Sequence, residues 1–215
     1  MGESARATLL ARAHLLTLLT IGYNLVEGVV AMALGAEDET LALFGFGVDS
    51  FIEVISAVGI WHMLRRIGAN QGESLDEFER RALRTTGGSF YLLTTGLVAT
   101  AVLNLVTGHR PETTLWGIVV SVVSIACMWL LIRHKLRVGT ALNSPAILAD
   151  AACSQACVSL SLALLAASVG YQLTGIGSLD AIGALLIAGL TFREGREAFA
   201  KARGLACTCG HGGPR

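Results

Sequence analysis

Two four-residue spacings carry the chemistry of this 215-residue chain. In "GVDSFIEV" Asp49 and Glu53 stand at i and i+4, and in "ADAACSQAC" Cys153 and Cys157 repeat that spacing. On a helix such positions share one face a turn apart, so each pair presents two donors side by side. Two carboxylates and two thiolates from facing helices make a tetrahedral, four-coordinate set of the kind Zn²⁺ accepts, and sulfur softness also welcomes Cd²⁺. Four ionised donors overcharge a dication. Some therefore stay protonated while the site is empty, and metal binding expels those protons.

The elements that must position these groups are membrane helices. Apolar residues make up 53% of the chain and charged residues 15%, a balance unlike that of a soluble domain. Six apolar runs follow at about 12–35, 41–64, 87–107, 114–133, 144–169 and 178–192, the last starting nearer Gly175 and continuing as a more polar helix. "GAEDET", "GANQGES", "TGHRPET", "RVGTALNSP" and "GYQLTGIGS" punctuate them with Gly, Pro or clustered polar residues. At a rise of about 1.5 Å per residue, Glu53 lies about 17 Å and Asp49 about 22 Å from the inner end of the second run. Cys153 and Cys157 lie about 14 and 20 Å into the fifth. All four overlap in height near the middle of a hydrocarbon layer about 30 Å thick.

Basic side chains fix the orientation, because Lys and Arg near span ends stay cytoplasmic. Of the 16 Lys and Arg residues, every one but Arg110 falls on one side of the alternating runs, so both termini are expected in the cytoplasm. The fold class is all-α: a multi-pass bundle of six transmembrane helices over residues 1–200, then a cytoplasmic tail over 201–215. The formal net charge is zero and no helix-turn-helix or zinc-finger spacing appears, which sets nucleic acid aside as a partner. Five cysteines, placed singly in apolar runs or in the tail, do not form a secreted disulfide framework.

The ordered set of motifs resembles the transmembrane part of the cation diffusion facilitator family. "IGYNLVEGVVAMALG" is similar to that family's first span, "VDSFIEV" to its second-span ligand pair, "SPAILADAACSQAC" to its fifth-span pattern, and "SLDAIGALLIAGLTFREGREA" to its sixth. The resemblance implies an exporter rather than an enzyme, multi-pass in a prokaryotic inner membrane and commonly a homodimer. It would exchange a divalent transition metal against protons by alternating access, with no permanently bound cofactor. The departures bear on substrate. The family usually carries His and Asp, or two Asp, where Cys153 and Cys157 stand, and Asp is commoner at Glu53, a shift toward softer metals such as cadmium beside zinc. The family typically adds a cytoplasmic metal-binding domain after its sixth span. Here a short tail follows, so a dimer would form through the membrane helices.

Other polar residues admit two readings each. Ionisable side chains inside a bilayer cost about 2.5–3.5 kcal/mol on insertion scales and usually serve a function. Asp49 and Glu53 have no basic partner within any run, which favours function over a structural pair. Asn24 and Glu27 share one face of the first run, with Glu27 near the depth of Asp49; Glu27 is either an outer partner or proton acceptor for the site, or an interhelical hydrogen-bonding group. Asp150, nearer the inner end, supports a helix contact or lines a vestibule. Asp180 opens the sixth run, where its own helix dipole favours an acid. Cys127 reads as packing. Cys207, Cys209 and His211 in "CTCGHGG" either capture a soft metal for the inner mouth or are incidental to a flexible end. Two other function classes remain open: a membrane-embedded metal-binding or regulatory protein without flux, and a thiol oxidoreductase, although the C-x-x-C motif is absent.

Overall fold

The computed structural model describes residues 3–38, 40–68, 77–108 and 114–204, without the side chains of 3–6, 67–68, 78–79, 145–146, 149 and 152–153. The tail thiols Cys207 and Cys209, and His211, lie outside the described residues, as does the Cys153 side chain. Six helices follow in order: α1 (Glu3–Glu37), α2 (Leu41–Gly68), α3 (Glu77–Thr107), α4 (Leu115–Leu142), α5 (Pro145–Thr174) and α6 (Ser178–Ala202). No strand occurs among the described residues. α1 to α5 each contain a stretch long and apolar enough to cross a membrane. α6 completes the bundle against α3, α5 and α2, and its second half is charged.

Every helix runs past the apolar segment that announces it. α4 continues to Leu142, and only Asn143 and Ser144 separate it from α5. Asn143 takes the left-handed φ of 48° that caps α4 and that Asn tolerates better than most residues, while Pro145 opens α5 where its missing N–H costs nothing. The sixth span does not begin near Gly175, as the apolar run suggests. Gly175, at φ +66°, is the left-handed cap of α5, and α6 starts at Ser178.

Two apolar clusters show that successive helices alternate in direction. One joins Ala13 of α1, Met63 and Leu64 of α2, Val138 of α4 and Ile147 of α5 at the end where the arginines gather. The other, built from Ala31, Leu43, Phe46, Leu97, Leu164 and Ala184 among others, lies toward the opposite end. Outward faces are apolar: Val26, Leu92, Val106, Trp129 and Leu162 are exposed, as a helix surface in lipid requires. At the basic end the guanidinium of Arg65 lies 5.0 Å from the Trp61 ring centroid, and that of Arg133 3.8 Å from the Trp129 ring, pairing cation and aromatic face at interfacial depth.

Glycine sets the separation of α1 and α2. A Cβ on Gly28 would stand 2.8 Å from the Phe51 ring and 3.1 Å from the Gly47 carbonyl, and one on Gly47 would stand 2.7 Å from the Met32 nitrogen. The two backbones therefore touch, the close approach that small residues permit between membrane helices.

Two buried charged residues make contacts that their sequence position does not suggest. Asp180 is buried, and its carboxylate accepts the Leu41 and Ala42 amides at 3.0 and 3.2 Å. It stands in the first turn of α6, where the helix dipole favours an acid, and also caps α2 from outside, because the first amides of α2 have no carbonyl a turn earlier. Lys135, one of the basic flank in sequence, is 1% exposed, and its Nζ lies 3.0 Å from Asp150 Oδ2 and 2.9 Å from Ser154 Oγ. Asp150 thus has a basic partner and supports the α4–α5 contact.

Asp180→Ala should lower the unfolding free energy by about 1–2 kcal/mol, as loss of a helix cap does, read from denaturant titration of helicity in micelles. Lys135→Met or Asp150→Asn alone should cost about 3–5 kcal/mol by stranding a buried charge or its partner, whereas Lys135→Met with Asp150→Leu should recover most of that in the same titration.

Candidate metal centre

α2 contributes Asp49 and Glu53, α5 contributes Cys157, and α1 contributes Asn24. α2 lies against both α1 and α5, so the acidic turn has a neighbour on each side. Glu53 is the meeting point. Its Oε2 accepts a hydrogen bond from the Cys157 thiol and another, at 3.0 Å, from Asn24 Nδ2. Cys157 is 2% exposed, and its thiol lies within electrostatic reach of Asp49 and Glu27 as well as of Glu53.

Asp49 sits one turn away along α2, 1% exposed, and its Oδ1 has no hydrogen-bond partner among the described residues. The Asn24 Oδ1 is likewise buried without a partner there. Buried polar atoms are ordinarily satisfied, so two orphaned oxygens flanking a thiol–carboxylate contact mark a place that accommodates a proton, a water or a cation. Carboxylate, amide oxygen and thiol are donors a divalent transition metal accepts. Among the described residues no three His, Cys, Asp or Glu side chains already stand as a cage. Of the four ligands expected from sequence, Glu53 and Cys157 touch, Asp49 lies beside them, and Cys153 has its backbone on α5 one turn before Cys157.

Glu27 forms the interhelical alternative foreseen for it. Its Oε1 accepts from the Tyr23 hydroxyl at 2.7 Å and its Oε2 from Ser50 Oγ at 3.1 Å, tying α1 to α2 directly behind the site. Tyr23 and Ser50 were not singled out in the sequence, although Tyr23 precedes Glu27 by the same four-residue step that pairs the acids. On α5, Ser161 donates to Ser124 of α4 at 2.9 Å, so the hydroxyls continue the polar seam one turn beyond Cys157.

A cavity of about 40 Å³ reaches Glu53 and Asn24 from the basic end, lined also by Thr20, Ser56, Asp150 and Ser154. The space beyond Glu53, toward the other end, is filled by the larger apolar cluster: Leu43, Ala184 and Leu164 there have no exposed surface, and a Cβ on Gly183 would stand 2.3 Å from that of Ala167. The site thus communicates with one side of the bundle and is packed shut on the other. Lys135, through its pair with Asp150, stands close enough for its charge to act on Glu53.

No curated protein matches the chain. The family model described as the cation efflux transmembrane domain matches residues 13–204 and so covers the bundle from the third turn of α1 to the end of α6. A six-helix membrane bundle with carboxylates and a thiol buried at its centre, matched over nearly its whole length, belongs to the cation efflux family, whose members transport metal cations across membranes.

Proposed function

We propose that this chain exports a divalent transition metal, Zn²⁺ or Cd²⁺ foremost, across a prokaryotic inner membrane in exchange for protons. One observation carries the reading: the Cys157 thiol meets the Glu53 carboxylate beside unpartnered oxygens of Asp49 and Asn24, at the closed end of a cavity reached from the basic end. If basic residues face the cytoplasm, that cavity is an inward-facing vestibule. Metal arriving there displaces the thiol proton and any proton held by the acid pair, and Asp49, Glu53, Cys153 and Cys157 close around the ion. Asn24, Glu27 and Asp150 act as supports: Asn24 orients Glu53, Glu27 fixes α1 to α2, and Asp150 holds Lys135. Opening the packed half while closing the vestibule then releases the ion outward, and protons reload the donors. The same helices would supply the contacts of a homodimer.

Flux into proteoliposomes containing a metal-sensitive dye, driven by a proton gradient, tests this. Asp49→Ala and Glu53→Gln should each reduce initial uptake at least tenfold; parental rates in both would remove the site. High-affinity binding by the parent without flux would instead favour a membrane-embedded metal-binding protein. Direct titration tests substrate choice: Cys157→Ser should weaken Cd²⁺ binding more than Zn²⁺ or Mn²⁺ binding, because removal of a soft donor penalises the softest ion most.

A further inference from the structure

Glu194 of α6 and Thr86 of α3 have no part in the site described above, yet both line the same cavity. They stand together because α3 and α6 pack through glycine. A Cβ on Gly87 would lie 3.2 Å from the Gly195 carbonyl and 2.8 Å from the Phe199 ring, and Tyr91 stacks on Phe199 with centroids 5.6 Å apart. Thr86 is 2% exposed, and its Oγ1 has no hydrogen-bond partner among the described residues. Deeper in the same cavity, Asn24 Oδ1 is equally without one.

Glu194 is half-buried, and the charges of Glu197, Lys201 and Arg193 of its own helix act on it. Lys201, which also lines the cavity, is engaged in an interaction of its own. Arg193 is held by Glu197 at 3.2 Å. Across the cavity, Glu194 lies close enough to act electrostatically on both Asp49 and Glu53 of α2, while Asp150 of α5 is already neutralised by Lys135 of α4. A carboxylate, a buried hydroxyl without a hydrogen-bond partner and an amide oxygen without one thus line one cavity with Glu53.

We propose that Glu194 and Thr86, with Asn24 deeper in, form a loading site that holds a partly hydrated divalent cation before it reaches Glu53 and Cys157. The donors are all oxygen, the chemistry of hard, water-retaining ions. The volume suits it: about 40 Å³ leaves space for the ion's remaining waters beside the protein oxygens. An oxygen-only station would admit dications with little discrimination, and the thiol beyond it would select among them by requiring dehydration and a soft partner. This inference rests on the proposed direction of travel but not on ligation by Cys157, so the two are separable by metal softness.

Mn²⁺, a hard probe, and Cd²⁺, a soft one, should be titrated separately into the purified full chain in nanodiscs, with bound Mn²⁺ read by electron paramagnetic resonance. The parent should bind Mn²⁺. Glu194→Gln and Thr86→Val should each weaken Mn²⁺ at least fivefold while Cd²⁺ affinity moves less than twofold, which also shows that the variants are folded. Cys157→Ser should do the reverse. Thr86→Val changes no charge, so its effect cannot come from the field of Glu194. No Mn²⁺ binding by the parent, unaltered Mn²⁺ binding in Thr86→Val, or Mn²⁺ and Cd²⁺ falling together in both variants would overturn the loading site. Mn²⁺ binding that behaves as expected in a chain that fails to bind Cd²⁺ would uphold it while removing the soft-metal pocket.

Discussion

The contact between the Cys157 thiol and the Glu53 carboxylate joins two helices far apart in sequence at a depth where water is scarce. In hydrocarbon an ionisable group without a partner is expensive, so the bundle has to gather such groups in its interior and satisfy them from several helices at once. Much of the architecture serves that requirement. Glycines let α1 close on α2 so that Asn24 reaches Glu53. Tyr23 and Ser50 engage both oxygens of Glu27 and leave Asp49 with one oxygen unclaimed. The resulting centre is polar but incompletely satisfied, as the proposed ion site requires: a fully bonded network would have no vacant donor to offer.

The two ends of the bundle divide the work. Toward the basic end the helices carry serines, threonines and charged residues around a small cavity; toward the other end the interior is closely packed alanine, leucine and glycine. The asymmetry gives the site a single side of access in this conformation. It also places the cation–aromatic pairs of Arg65 with Trp61 and Arg133 with Trp129 on the accessible side. There they can anchor the helix ends at the interface while the interior stays open.

What the sequence made legible followed from period and hydropathy. The six helices, the alternation of their directions and the two i, i+4 pairs need only local pattern, and the depth estimate brought Glu53 and Cys157 to a common height before any packing was known. Long-range partners did not follow in the same way. Lys135 stands between Arg133 and Arg137 and reads as interfacial; that it turns inward to Asp150 depends on how α4 lies against α5. Asp180 caps a helix that begins 139 residues earlier in the chain, a pairing that no local motif encodes. Thr86 and Glu194 were invisible for the same reason. Each lies in or beside a charged stretch, and only the glycine contact between α3 and α6 brings the two to one cavity.

The touching backbones at Gly28 and Gly47 carry a mechanical corollary. With Phe51 and Met32 lodged against them and Glu27 bonded across, the first two helices have no slack in which to slide, so they behave as a single stiff strut carrying Asn24, Asp49 and Glu53 in fixed mutual geometry. In the proposed transport cycle, the rearrangement at the centre would then come from the thiol-bearing helix swinging against that strut. In that cycle the oxygens would form a stationary jaw, and the sulfur would be the part that travels.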